Sequence, residues 1–179
     1  MGSRAPFYKI CIVGDFGVGK TTLLHRYLER RFKSDVQSTI ASNFFVKHLK
    51  IPNVKSLVTL QIWDLAGQER YKWLRQAFYK GAKGVIFVFD LIREPTFDHL
   101  KNWKIEVENT IGVVPNILIG NKVDLLNPRE RVITSEEAKS LKNFLQACDY
   151  KEASAKLGNG VDSVFLKLTI EMHKHFDSQ

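Results

Sequence analysis

Gly14-Asp15-Phe16-Gly17-Val18-Gly19-Lys20-Thr21 fits the spacing G-x-x-x-x-G-K-[S/T]. It sits between an apolar run, Phe7 to Val13, and an amphipathic stretch that opens at Lys20. Glycines at these positions let successive backbone N–H groups curl around an anion, and a helix beginning at Lys20 adds its positive dipole end. Lys20 is placed to reach phosphate oxygens and the Thr21 hydroxyl to ligate Mg²⁺, while Phe16, Gly17, Val18, Gly19 and Thr22 complete the cradle. A phosphate-binding turn between strand and helix is therefore the first expectation.

Working outward, strands and helices alternate, which predicts an α/β domain with a largely parallel sheet. The pattern predicts a helix over 20–32, an exposed loop over 33–43, and two antiparallel strands over 44–51 and 57–64 that turn at Pro52-Asn53. Further apolar strands are expected over 84–90 and 116–120, with one helix between them from about Glu94 to Thr110. Thr134-x-x-Glu137 is a capping box that opens the next helix. Val161, Val164, Phe165, Leu168 and Met172 make an amphipathic stripe for the last one. The expected architecture is six strands, mostly parallel with one antiparallel, flanked by about five helices. Residues 1–6 read as a flexible N-terminus or an expression remnant, and 7–177 as a single domain.

Composition narrows the class. The chain has 179 residues, 44% hydrophobic and 26% charged, so wholesale disorder is excluded. Cys11 and Cys148 are the sole cysteines, too few for a disulfide framework, and Cys11 reads as a buried thiol in a reducing compartment. The net charge of +8 arises in the first half: residues 1–100 hold 16 basic and 8 acidic side chains, residues 101–179 hold 11 of each. No stacking platform or nucleic-acid motif accompanies that charge, so no nucleic-acid partner is expected. The five histidines form no metal-ligand spacing and read as solvated side chains.

Three further motifs carry chemistry. Asp64-Leu65-Ala66-Gly67-Gln68 follows a predicted strand. Asp64 can hold Mg²⁺ through water, Gly67 can offer its N–H to a γ-phosphate, and Gln68 can orient an attacking water. In Asn121-Lys122-Val123-Asp124, the Asp124 carboxylate can accept both the N1–H and the 2-amino group of guanine. Lys122 can cover the base plane; adenine would leave that carboxylate unpaired. Ser154-Ala155-Lys156 follows the last strand and can give a backbone N–H to the guanine O6.

These motifs, in this order from about Phe7 to Phe176, resemble the Ras superfamily of small GTPases, a P-loop G domain. Leu60-Gln-Ile-Trp-Asp-Leu-Ala-Gly-Gln-Glu-Arg70, Phe78-Tyr-Lys-Gly-Ala82 and Leu100-Lys-Asn-Trp103 are most similar to the Rab branch. The resemblance implies that Ser38-Thr39-Ile40 is switch I, with Thr39 binding Mg²⁺ and sensing the γ-phosphate, and that Phe32 packs against the guanine. It implies a monomeric switch that hydrolyses GTP to GDP slowly with Mg²⁺, using Lys20, Thr39, Gly67 and Gln68. An exchange factor, an activating protein and effectors are expected partners. The alternative, a non-hydrolysing GTP-binding scaffold, is disfavoured by Gln68. A trafficking role at the cytosolic face of an intracellular membrane follows from the Rab resemblance. No prenylation cysteine stands in His175-Phe176-Asp177-Ser178-Gln179, so attachment is expected only through an anchor or partner outside this chain. Three stretches depart from the family pattern: Ala41-Ser42-Asn43-Phe44 after switch I, Trp73-Leu74-Arg75 in place of R-S-I-T, and Phe16 where a small residue is usual.

Overall fold

Strand β4 (Gly84–Asp90) is buried at every residue, as a continuous apolar run covered on both sheet faces must be. In the computed structural model, which describes residues 5–127 and 132–176, it lies inside a six-stranded sheet of order β2-β3-β1-β4-β5-β6. The other strands are β1 (Phe7–Val13), β2 (Ser42–Leu49), β3 (Val58–Leu65), β5 (Asn116–Asn121) and β6 (Tyr150–Ala153). All neighbours pair in parallel except β2 with β3. Residues 1–4 of the expected flexible N-terminus, and residue 177 at the expected domain end, lie outside the described residues.

Period-two alternation along β1 splits the core in two. Ile10 and Ile12 face one side with Leu23, Leu24, Val164, Phe165 and Leu168. Cys11 and Val13 face the other with Phe87, Phe89, Leu100, Val107 and Leu141. The first side is covered by α1 (Lys20–Glu29) and α6 (Val161–Phe176), where the Tyr27 and Phe165 rings stack with centroids 3.8 Å apart. The second is covered by α2 (Lys72–Tyr79), α4 (Leu100–Ile111) and α5 (Ser135–Leu145). Cys11 is a free, fully buried thiol whose pKa burial pushes up to about 12.

Four elements differ from expectation. Helix α1 stops at Glu29, because Arg30 takes a left-handed conformation (φ 58°) and its N–H closes the last turn onto Arg26 O; Phe32 therefore lies in the following loop. The β2 and β3 bounds shift by about a residue or two, and Asn53 (φ 64°) makes the expected turn. The single helix expected from Glu94 breaks at His99 into α3 (Glu94–Asp98) and α4, where His99 turns its ring to Asp15 of the glycine-rich loop. Helix α2 was not placed by the sequence, because its inward positions four residues apart are Arg75 and Tyr79, and an arginine there interrupts the apolar stripe.

The capping box of α5 forms as expected: Glu137 N–H donates to Thr134 Oγ1 at 3.2 Å and Thr134 N–H to Glu137 Oε2 at 2.8 Å. Thr134→Ala should lower stability by about 1 kcal/mol in chemical denaturation. Hydrogen bonds from the Thr134 hydroxyl and N–H hold the Glu137 carboxyl below its ordinary pKa. That contribution is present above the ordinary glutamate range and is lost as pH falls through the lowered value. The gap between Thr134→Ala and the parent should therefore narrow in acid.

Candidate nucleotide-binding site

At the carboxyl ends of β1, β3, β5 and β6 the connecting loops enclose a groove of about 480 Å³. Its floor is the turn between β1 and α1. Gly19 has φ 94°, and a Cβ there would fall 2.4 Å from the Asn121 amide nitrogen, so only glycine permits this approach. Gly17, Gly19, Lys20, Thr21 and Thr22 all line the groove, together with Phe16. Val18 does not: its side chain is fully buried, and its carbonyl accepts from Asn121 Nδ2 at 2.8 Å. Lys20 is buried, with Nζ donating to Gly14 O (2.7 Å) and Asp15 O (2.9 Å). Burial lowers its pKa to about 8, against the pull of Asp64 and Asp15.

The β3 loop closes on this floor. A Cβ on Gly67 would lie 2.3 Å from both Asp15 C and Phe16 N, which makes Gly67 the point of contact between the two loops. Just before it, Asp64 is fully buried. Its Oδ2 accepts from Thr21 Oγ1 at 2.5 Å and from Thr39 Oγ1 at 3.4 Å, and the two hydroxyls are 2.9 Å apart. Asp64 Oδ1 is buried without a hydrogen-bond partner among the described residues. Burial raises the Asp64 pKa, while Thr21, Lys20, Asn43 and Thr39 favour the charged form. The predicted metal ligands thus converge from three separate segments, and an orphaned carboxylate oxygen beside two hydroxyls is a donor set of hard oxygens that fits Mg²⁺.

At the other end, Asn121 joins two loops: besides its bond to Val18, its Oδ1 accepts from Ala155 N–H at 3.4 Å. Lys122 adopts φ 69° and sends its Nζ to Asp90 Oδ2 at 2.7 Å. Asp124, Lys122, Ala155 and Lys156 line the groove, as do Phe32 and Thr39. Ser154 does not line it. Its hydroxyl donates to Asp124 Oδ1 at 2.6 Å, and its N–H goes to Asn159 O. Ser154 therefore orients the carboxylate while Asn159 O takes its N–H at 3.1 Å, so that part of the expectation passes to Lys156 and to Ala155, whose N–H makes only the long 3.4 Å bond to Asn121.

Gln68 lines a second, adjoining cleft with Asp15, Arg93 and His99. Phe16 and Gly67 border both spaces, and the Phe16 ring is half-exposed between them.

Several residues that shape the site escaped the sequence reading. Arg93 Nη2 donates to Phe16 O at 2.8 Å, and its Nε pairs with Asp90 Oδ2 at 3.2 Å. His99 is exposed, as expected for a solvated histidine, and also holds Asp15 Oδ2 at 2.6 Å, while Trp103 Nε1 donates to Asp15 Oδ1 at 2.8 Å. Arg26 Nε donates to Ala155 O at 2.8 Å and its Nη2 to Lys156 O, bracing the loop after β6 from α1. Only Trp103 gave a signal, as part of the Rab-like Leu100-Lys-Asn-Trp103 stretch.

A family model described as the Ras family matches residues 9–174. The chain is similar to the Ras-related protein Rab7 of Glycine max, 39% identical over 168 residues that cover 91% of this chain and 81% of that protein. It is similar to the Ras-related proteins RABG3f and RABG3b of Arabidopsis thaliana, at 37% and 39% identity over 171 residues each. Those matches span 90% and 93% of this chain and 80% and 83% of the two relatives. A glycine-rich floor, a buried carboxylate flanked by two hydroxyls and a braced Asn-Lys-x-Asp loop occur together in a chain matched over nearly its whole length: it belongs to the Ras family, and within it to the Rab branch of small GTPases.

Proposed function

We propose that the groove of this GTP-hydrolysing switch takes GTP or GDP with Mg²⁺ through the residues that border it. The observation that carries this reading is the convergence of Thr21, Thr39 and Asp64 beside Lys20. Thr21 and Thr39 would hold Mg²⁺ directly and Asp64 through water; bound there, the ion supplies charge neutralisation at the β- and γ-phosphate oxygens. Lys20 exchanges its two loop carbonyls for phosphate oxygens. Gly67 N–H meets the γ-phosphate, and Gln68 orients the attacking water for in-line displacement. Asp124, pre-aimed by Ser154, accepts the guanine N1–H and 2-amino group. Lys122 and Phe32 cover the base, and Ala155 or Lys156 offers O6 a backbone N–H. Loss of the γ-phosphate frees Thr39 and Gly67, which is the switching event.

Purified protein should release guanine nucleotide on denaturation, read by anion exchange of the supernatant. Adenine nucleotide alone, or a site that refuses added GDP with Mg²⁺, would sink this assignment.

Phe16 bears on the rate. In Ras the unassisted reaction runs at about 10⁻⁴ to 10⁻³ per second, and an arginine supplied by a partner accelerates it up to about 10⁵-fold. A ring standing between the groove and the Gln68 cleft occupies volume that such an arginine needs. Losing that arginine forfeits up to about 7 kcal/mol, against about 1–2 kcal/mol from ring packing. Phe16→Gly should leave GDP affinity within a few-fold and raise single-turnover hydrolysis, alone or with an activating protein. No change in either rate means that the ring obstructs nothing.

Exchange factors, activating proteins and effectors are the partners this reading requires, and the Rab likeness supports a role in membrane traffic. Among the described residues no helix is long and apolar enough to cross a membrane. Phe44, Trp63 and Phe78 form a continuous aromatic cluster, with centroids 5.2 Å and 5.4 Å apart, and Lys9 Nζ stands 4.7 Å from the Trp63 ring centroid. The half-exposed Phe44 ring lies just beyond switch I. Phe44→Ala should weaken GTP-dependent capture of a partner more than it weakens nucleotide binding. An equal loss of both would make the cluster a core element only.

A further inference from the structure

Among the described residues, the largest fully buried side chain belongs to an arginine on α2, Arg75. We propose that Arg75 is a positioning residue for GTP hydrolysis: it grips the backbone on both sides of Gly67 and so fixes the direction in which Gln68 leaves the chain. The proposal rests on the reading of Gln68 as the residue that orients water.

The guanidinium is held from several sides. Its Nε and Nη2 donate to the two oxygens of Glu106 on α4 at 2.7 and 2.8 Å, a bidentate pair with side chains only 1% and 10% exposed. Tyr79 O–H donates to the same Glu106 at 2.7 Å, which fixes the carboxylate in turn. The guanidinium carbon lies 4.1 Å from the centroid of the Trp103 ring, and Trp103 is itself tied to Asp15 of the phosphate loop. Nη1 then points the other way and donates to Gln68 O at 3.1 Å and Ala66 O at 3.4 Å.

Those two carbonyls flank Gly67, a residue without Cβ and hence with the widest backbone freedom. Contact with the phosphate loop restrains Gly67 itself, but the Gln68 side chain starts one peptide further on. The Arg75 bond to Ala66 O sets the Ala66–Gly67 peptide and its bond to Gln68 O the Gln68–Glu69 peptide, so the Gln68 Cα is held between two fixed peptides, and the rigid guanidinium fork refers both to α4. A lysine could neutralise Glu106 but lacks the planar fork that reaches Glu106 and both carbonyls together. Since misplacing a reacting group by about 1 Å can cost about 10²-fold in rate, loosening these peptides should show in hydrolysis before it shows in nucleotide binding.

The test is single-turnover hydrolysis by the full chain preloaded with GTP and Mg²⁺, with GDP dissociation measured in parallel. The variant Arg75→Met/Glu106→Leu/Tyr79→Phe removes the network without orphaning a buried charge. It should hydrolyse GTP about tenfold or more slowly, with GDP dissociation within about threefold of the parent. In a Gln68→Leu background the same changes should slow hydrolysis no further, because both act on one water; a merely structural role would slow both backgrounds alike. Arg75→Lys, which keeps the charge and the fold, should be slowed in the same way and decides the matter where the triple variant fails to hold nucleotide. A parental rate in either nucleotide-holding variant, or equal slowing in both backgrounds, overturns the proposal. Gln68→Leu hydrolysing at the parental rate would overturn the reading of Gln68 and this inference with it, whereas an impaired Gln68→Leu beside an unimpaired Arg75→Lys overturns this inference alone.

Discussion

The backbone of Gly67 lies against the backbone of Asp15 and Phe16 so closely that a methyl group at Gly67 would sit 2.3 Å from two of their atoms. This contact sets the distance between the turn after β1 and the turn after β3. Through it the carboxylate of Asp64, three residues earlier, falls within reach of the Thr21 hydroxyl at the start of α1. A side chain at Gly67 would push β3 and its loop outward and separate the oxygen donors that converge there. The parallel register of β1 with β3, which sets Ile12 against Asp64, brings the two chains to the same level; the missing Cβ allows them to touch.

Around that contact the fold concentrates its most expensive groups. The buried charged side chains among the described residues are Lys20, Asp64, Arg75 and Asp90, and all of them border the groove or its adjoining cleft through their contacts. Removing one member of a buried ion pair costs about 3–5 kcal/mol, yet replacing the whole pair by apolar residues is often neutral. Stability therefore does not explain why these charges are kept. Each one instead connects a loop to a neighbour: Asp90 gathers Lys122 and Arg93, Arg93 reaches Phe16 O, and Lys20 spans Gly14 and Asp15. The loops are held by ion pairs at Asp90 and by charge-assisted hydrogen bonds from Arg93 and Lys20, whose geometry is directional where apolar contacts would let them slide.

The sheet was legible because its signals are local. The continuous apolar run of β4, the alternation of β3 and the Thr134–Glu137 box each declare themselves within a few residues, and so do the glycine-rich turn, Asp64-x-x-Gly67, Asn121-Lys-x-Asp124 and Ser154-Ala-Lys156. What stayed hidden depends on partners far along the chain. Trp103 meets Asp15 across 88 positions and Arg26 meets Ala155 across 129; no window of sequence contains both ends. Arg75 was misleading as well as hidden, since a charged residue at an inward position erases the stripe by which a helix is recognised, and α2 went unplaced for that reason. The end of α1 failed differently. The stripe through Leu23, Leu24, Tyr27 and Leu28 gives no stop signal, and Arg30 enters the left-handed region where a glycine would have announced it.

Ala41 shows how the switch region is poised. It is a non-glycine residue at φ 61°, a conformation that costs an L-residue roughly 1–2 kcal/mol. It sits between Thr39, whose hydroxyl reaches Thr21 and Asp64, and the first residue of β2. The Ala41 carbonyl accepts from Ala66 N–H at 3.0 Å, and Ala66 O accepts in turn from Arg75. The strained residue is thus secured by the residue just before Gly67, and the two switch segments share one anchor at Ala66, immediately after β3. A hydrogen bond of this kind contributes about 1 kcal/mol net, the same size as the strain it opposes. Terms of similar size therefore oppose each other at the junction between Thr39 and the sheet.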